Sequence, residues 1–145
     1  MRSAIVLVAW AICIGAAGCY TSSYRKELAA NTDLISQLGD KLSDYCRAGF
    51  LIDNRPVSSE EMGEFYYALK KAREFSAMTA SRSTLKSHRD FDAMLSKYED
   101  FLRSGDEYRL SGARNPARLD ILMRQHQAVA SAAAKVHADL ASEGN

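Results

Sequence analysis

The apolar positions of this chain fall into four runs with helical spacing. In residues 20–48, Leu28, Ile35, Leu38, Leu42 and Tyr45 recur at intervals of seven, three, four and three, which is one face of a helix. Asn31 stands where a further apolar residue of that face would sit. Gly49 predicts the stop of this helix in a left-handed cap, with Phe50 folding back. Phe50-Leu51-Ile52 puts three apolar residues into the connection, which therefore packs over the end of the fold.

Residues 59–80 form the second run, and it has the clearest start. Ser58 and Glu61 have the spacing of a capping box, in which each side chain takes the other's orphan amide. Val57 and Met62 flank the cap as a hydrophobic staple. Glu60, Glu61 and Glu64 suit the positive end of the helix dipole. The apolar stripe is Met62, Phe65, Tyr66, Leu69, Ala72, Phe75 and Met78. Thr79-Ala80-Ser81-Arg82-Ser83-Thr84 contains weaker helix formers and predicts a short turn, with a kinked continuous helix as the other reading.

The third run, residues 84–104, carries Leu85, Phe91, Met94, Leu95, Tyr98, Phe101 and Leu102, and Gly105 predicts its end. A connection from Gly105 to Arg114 follows. Asn115-Pro116 then opens the fourth helix, residues 116–142, with Asn as cap and Pro in the first turn. Its face runs through Leu119, Leu122, Met123, His126, Val129, Ala133, Val136 and Leu140, and numerous alanines make it slim. No stretch alternates in the manner of a strand. The expected fold is all-α: an antiparallel up-down four-helix bundle behind an N-terminal leader. Two helical hairpins packed against another subunit remain the alternative. Exposed i,i+3 and i,i+4 ion pairs, such as Lys70 with Glu74 and Lys97 with Asp100, would support these helices weakly.

The first 18 residues have a different pattern. Arg2 supplies one positive charge, Ala4 to Ala17 is uncharged and apolar, and Ala16-Ala17-Gly18 leads into Cys19. This is the layout of a secretory signal with a small-residue cleavage site. The 16 residues from Ser3 to Gly18 would span roughly 24 Å as a helix, short of the ~30 Å hydrocarbon core. Residues 1–18 are therefore expected to be a signal peptide and 19–145 the helical domain. A retained transmembrane anchor and cleavage after the small-x-small motif Ala16-x-Gly18, giving a freely secreted product, are the other readings.

Gly18-Cys19 at the end of such a leader resembles the lipobox of bacterial lipoproteins. Ala17 fits that pattern, and Ala16 stands where the family most often has Leu. The resemblance covers residues 1–19 alone. It implies that Cys19 becomes the first residue of the mature chain, carrying palmitate-type acyl chains that hold it on a membrane. One acyl chain binds only marginally, and several make the attachment durable. Tyr20, rather than Asp, follows the cysteine, so in a Gram-negative cell the resemblance implies the outer membrane, facing the periplasm.

Composition narrows the rest. Removal of 18 residues leaves 127 of the 145, enough for one domain. Every acidic residue and every basic residue but Arg2 lies beyond Cys19, giving 18 of each and no net charge. No basic stripe is present, so nucleic acid is not an expected partner. Of the three cysteines, Cys13 leaves with the leader and Cys19 would become a thioether, so Cys46 is the only thiol and no internal disulfide can form. Cys46 is expected to be a small buried apolar residue.

A search for chemistry yields no catalytic constellation. The haem-attachment motif C-x-x-C-H is absent, and His88, His126 and His137 are preceded three positions back by Leu85, Met123 and Ala134 rather than by the Glu of di-iron bundles. His126 and His137 share a face but would lie about 16 Å apart. Met62, Met78, Met94 and Met123 could in principle join a histidine on haem or copper, but core filling explains them, and His126 reads as a hydrogen-bonded, half-buried residue. Glu60-Glu61 and Asp90-x-Asp92 sit at helix starts, where capping and dipole compensation explain them. Neither a G-x-S-x-G elbow nor a phosphate loop occurs. The expected function is a non-catalytic envelope module: a membrane-held helical domain that presents a face to a protein partner. No catalytic residue, cofactor or metal is assigned. The alternative is a periplasmic bundle that senses a ligand or metal.

Overall fold

The computed structural model describes the backbone of residues 2–144 and the side chains of residues 21–144. Four helices follow one another: α1 (Arg2–Arg47), α2 (Ser59–Met78), α3 (Lys86–Leu110) and α4 (Pro116–Glu143). They pack as an antiparallel bundle. α3 and α4 run along each other, α1 lies in the groove they form, and α2 covers α3 with a lighter contact to α1. The fold expected from periodicity is therefore the fold observed.

α1 reaches back to Arg2, whereas the apolar spacing marks its start only at residue 20. Residues 2–19 hold no proline to break the helix. On the α1 face, Leu28, Ile35 and Leu42 are fully buried and Leu38 nearly so. The gap in that face is filled by Thr32 rather than Asn31. Thr32 is fully buried because its hydroxyl donates to the Leu28 carbonyl at 2.7 Å, which removes the cost of a polar core position. Asn31 is half-exposed.

Gly49 ends the helix region as expected, with φ +62°, and Phe50 follows at φ +56°. That second left-handed residue turns the Phe50 ring inward, where it meets Tyr45 and Tyr108 edge-on. Leu51, by contrast, is half-exposed. Leu51–Ile52 pairs antiparallel with Arg55–Pro56 as a minimal ribbon, β1 and β2, that the sequence pattern did not predict. Asp53 and Asn54 make the turn with φ of +50° and +62°, the conformation a two-residue hairpin requires.

The capping box of α2 is complete: Ser58 Oγ accepts from Glu61 N–H at 3.1 Å, and the Glu61 carboxylate accepts from Ser58 N–H at 2.8 Å. Val57 and Met62 are both buried, as a staple requires. Two members of the expected stripe are not core residues. Tyr66 is 41% exposed and Met78 77% exposed, because α2 has no partner on its outer side and each lies at the stripe's edge. α2 ends at Met78, and a single 3₁₀ turn, Ala80–Arg82, leads to α3. The short turn, not the kinked helix, is what forms.

Gly105 does not stop α3. The helix continues to Leu110 and the connection to α4 begins only at Ser111. Gly105 is buried where α3 crosses α1, and a Cβ there would lie 3.5 Å from Leu42 and 3.8 Å from the Cys46 sulfur. Its role is close helix approach, which pattern alone cannot tell from a stop signal. The true stop uses Gly112 (φ +87°) and Ala113 (φ +50°). Asn115 caps α4 as expected, accepting from Ala117 and Arg118 N–H.

The core is continuous. Phe65, Phe91, Phe101 and Tyr98 are fully buried at its centre, and the Tyr98 hydroxyl donates to the Phe65 carbonyl at 3.2 Å. On the surface the expected ion pairs are re-sorted: Glu74 pairs with Lys71 rather than Lys70, and Asp100 with Arg103 rather than Lys97. Each is an i,i+3 neighbour in reach, and neither contributes more than a few tenths of a kcal/mol.

Candidate functional site

The bundle end nearest Cys19 concentrates the polar chemistry of the molecule. It is built from the first turns of α1 after residue 20, the end of α2, the start of α3 and the last turns of α4. Cys19 itself, with the whole expected leader, lies outside the residues whose side chains are described.

His88 stands at the centre of this end. It lies one turn before Phe91 and two before Leu95 on the buried face of α3, and it is 1% exposed. The Tyr24 phenol approaches Nδ1 at 2.9 Å, and Ser76 Oγ approaches Nε2 at 3.3 Å. Ser76 in turn donates to the Asp92 carboxylate. One arrangement of hydrogens satisfies every group. Tyr24 donates to Nδ1, Nε2–H donates to Ser76, and Ser76 donates to Asp92, which is the Nε2–H tautomer of a neutral imidazole. Three helices are thereby tied together by four side chains. Burial raises the Tyr24 phenol to about 12, with the Glu143 carboxylate adding to the shift. The order of groups is not that of a hydrolytic triad. The carboxylate sits on the serine side of the ring, and the nitrogen that a triad would pair with Asp is held by Tyr24 instead.

α3 begins without a cap of its own; Leu85 offers no side-chain acceptor. Glu143, from the last turn of α4, supplies it. Its carboxylate accepts from the Ser87 N–H at 2.9 Å and from the Ser87 hydroxyl. Beside it, Lys86 bridges Asp90 and Asp139, and Lys135 reaches Asp90 at 2.9 Å. The Asp139 side chain, ahead of the lysine ammonium groups, lowers the Asp90 carboxyl to about 2. One oxygen of Asp139, Oδ2, is buried with no hydrogen-bond partner. Two lysines in the cluster leave it balanced in charge rather than a cation site.

An open groove of about 720 Å³ runs between α1 and α4 at this end, with Ser22, Arg25, Lys26, His137 and Leu140 among its walls. Arg25 donates to the Leu140 carbonyl across it, satisfying one of the orphan acceptors of the α4 C-terminus. His137 is held by Asp33 at 2.8 Å.

The residues weighed from sequence fall as follows. Cys46 is fully buried, and burial pushes its thiol up to about 12, so it is a core residue and not an activated nucleophile. His126 is a half-buried residue held by Asp40 at 2.7 Å and tilted against Phe101. Met62 and Met94 are core filler, while Met123 accepts a weak hydrogen bond from Ser43. Glu61 serves the capping box and Arg55. The carboxylates of Asp90 and Asp92 turn to different partners and form no acid–base pair. Among the described residues no three His, Cys, Asp or Glu side chains converge as a metal site, and no helix is long and apolar enough to cross a membrane. The His88 network was missed from sequence, although the spacing of His88 from Phe91 and Leu95 places it on the buried stripe.

No family model, curated protein or solved structure matches this chain.

Proposed function

We propose that this chain is a lipid-anchored bacterial envelope protein whose helical domain acts as a non-catalytic interaction or structural module. The observation that carries the reading is the leader: one basic residue, an uncharged apolar run and a small-residue motif ending at Cys19. The compact core supports it, since the first buried side chain among the described residues, Tyr24, lies five residues beyond that cysteine. A domain so placed is held close to the membrane surface rather than on a long tether.

The other support is the way titratable groups are used. The buried imidazole and the carboxylates around Lys86 tie helices together, and the thiol is packed into the core. Exposed large apolar side chains occur on every helix, and α2 carries three of them, Tyr66, Tyr67 and Met78, which suit contact with a protein partner.

The test is the mass of the N-terminal peptide of the chain isolated from bacterial membranes. Acylated Cys19 as first residue is the expected result. A chain that begins at Met1, or one that begins at Cys19 with a free thiol, removes the reading. A cross-linking experiment on intact envelopes, with the linker placed at Tyr67, then asks for one reproducible protein adduct.

A further inference from the structure

We infer that the groove between α1 and α4 is a seat for the phosphate headgroup of an anionic membrane phospholipid. This rests on the proposed lipid anchor, and it adds a second, non-covalent contact between the domain and the bilayer. The groove lies at the end of the bundle where α1 emerges from the leader. Arg25 and Lys26 stand six and seven residues beyond Cys19, which is about 9–11 Å along a helix, so their long side chains must reach back to a headgroup layer roughly 5–8 Å deep.

The lining has two kinds of chemistry, arranged as an amphiphile requires. Ser22 offers a hydroxyl, and Arg25 and Lys26 offer positive charge. Ala29, Leu140 and Ala141 supply the apolar part. Lys26 is exposed, and the ion pairs of the described residues do not include it. Arg25 is oriented by its bond to the Leu140 carbonyl. Gly144 continues the same wall so closely that a Cβ there would collide with the Arg25 guanidinium.

The acidic groups near this end are turned to other tasks. Glu143 is bonded to Ser87, Asp139 to Lys86, Asp33 to His137 and Glu27 to Ser23. Lys26 takes part in none of these contacts and is the exposed ammonium of the lining. Each basic residue near an anionic surface contributes on the order of 1 kcal/mol, or about fivefold in affinity.

The experiment places the full chain, isolated from membranes, in lipid discs of phosphatidylcholine alone and in discs where part of it is phosphatidylglycerol. Amide hydrogen exchange is read in residues 137–144, the α4 side of the groove. Exchange about fivefold slower in the phosphatidylglycerol discs, reversed by added salt, is the expected result. Lys26→Glu should abolish the difference, and Lys70→Glu, an exposed charge change on α2, should not. Equal exchange in both discs overturns the inference, as does equal sensitivity to the two substitutions. Inorganic phosphate that protects residues 137–144 as well as the anionic discs do overturns the membrane source. The mass of Cys19 is measured on the same sample, so loss of the anchor and loss of the headgroup contact are separate outcomes.

Discussion

Tyr24 and His88, 64 positions apart in the chain, meet in the core through a 2.9 Å hydrogen bond from the phenol to Nδ1. The contact joins α1 to α3, and Ser76 brings in α2 on the other ring nitrogen. Tyr24→Phe keeps the ring and removes the donor. It leaves Nδ1 of a buried imidazole unpaired, at a cost of about 1–3 kcal/mol. Urea unfolding checks this. His88→Leu should cost a comparable amount, and the double variant should cost clearly less than the sum, because the two side chains share one interaction. Full additivity would mean that the bond contributes nothing.

This pair also marks the boundary of what the chain discloses before folding. Periodicity located all four helices, because buried faces repeat with the helical turn and the capping box and the Asn-Pro start are local signals. Residues whose role depends on a neighbour from another helix were read wrongly. Gly105 looks like a stop, and only the proximity of Leu42 and Cys46 makes it a crossing point. Tyr66 and Met78 look buried until α2 proves to have one uncovered side. His88 fails the di-iron pattern in the sequence, and its spacing from Phe91 and Leu95 is the one signal that places it inside. Cys19, the residue proposed to take the lipid, is the reverse case: its pattern is legible in sequence and its side chain lies outside the described ones.

Glu143 acts as the missing cap of α3 from 56 positions away. A cap of this kind is worth roughly 1–2 kcal/mol, more than a neutral one because the acceptor is charged. Glu143→Ala should lower the urea midpoint accordingly, while Glu143→Gln retains one acceptor oxygen and recovers part of the loss. Amide exchange at Ser87 localises the effect: it should accelerate in the Ala variant more than exchange in the middle of α3.

At Gly105 the geometry leaves room for one methyl group. Its would-be contacts of 3.5–3.8 Å are ordinary van der Waals distances. Gly105→Ala should therefore gain up to about 1 kcal/mol from reduced backbone freedom in the unfolded chain. Gly105→Leu has no such space against Leu42 and Cys46 and should lose about 1–3 kcal/mol by overpacking. A thermal unfolding series of the two variants gives opposite signs if α3 truly crosses α1 here.

The Asp90 cluster sets the acid limit. Its carboxyl lies at about 2 in the folded chain, against 3.8 ordinarily. A lowered folded-state value means stability that is present above about pH 4 and lost as pH falls towards 2. Asp90→Asn should be less stable than the parent at neutral pH. The gap between the two should narrow steadily below pH 4, as followed by denaturant unfolding at a series of pH values. A gap that stays constant would show that Asp139, Lys135 and Lys86 contribute nothing through Asp90.

Cys46 sets the alkaline limit with the opposite sign. Its thiol ordinarily titrates near 9.0 and is raised to about 12 by burial. The unfolded chain therefore releases this proton at lower pH than the folded one, so stability is intact below about pH 9 and declines as pH rises towards 12. Tyr24 adds a similar decline from 10 upwards. Cys46→Ala removes the first part of that slope and leaves the second. The same burial makes the thiol a reporter of opening: a maleimide at pH 8 should label it only as fast as the bundle unfolds, with denaturant accelerating the reaction in step with loss of helix. Labelling at the rate of a free thiol in the folded chain would mean that α1 and α3 part at Gly105 without global unfolding.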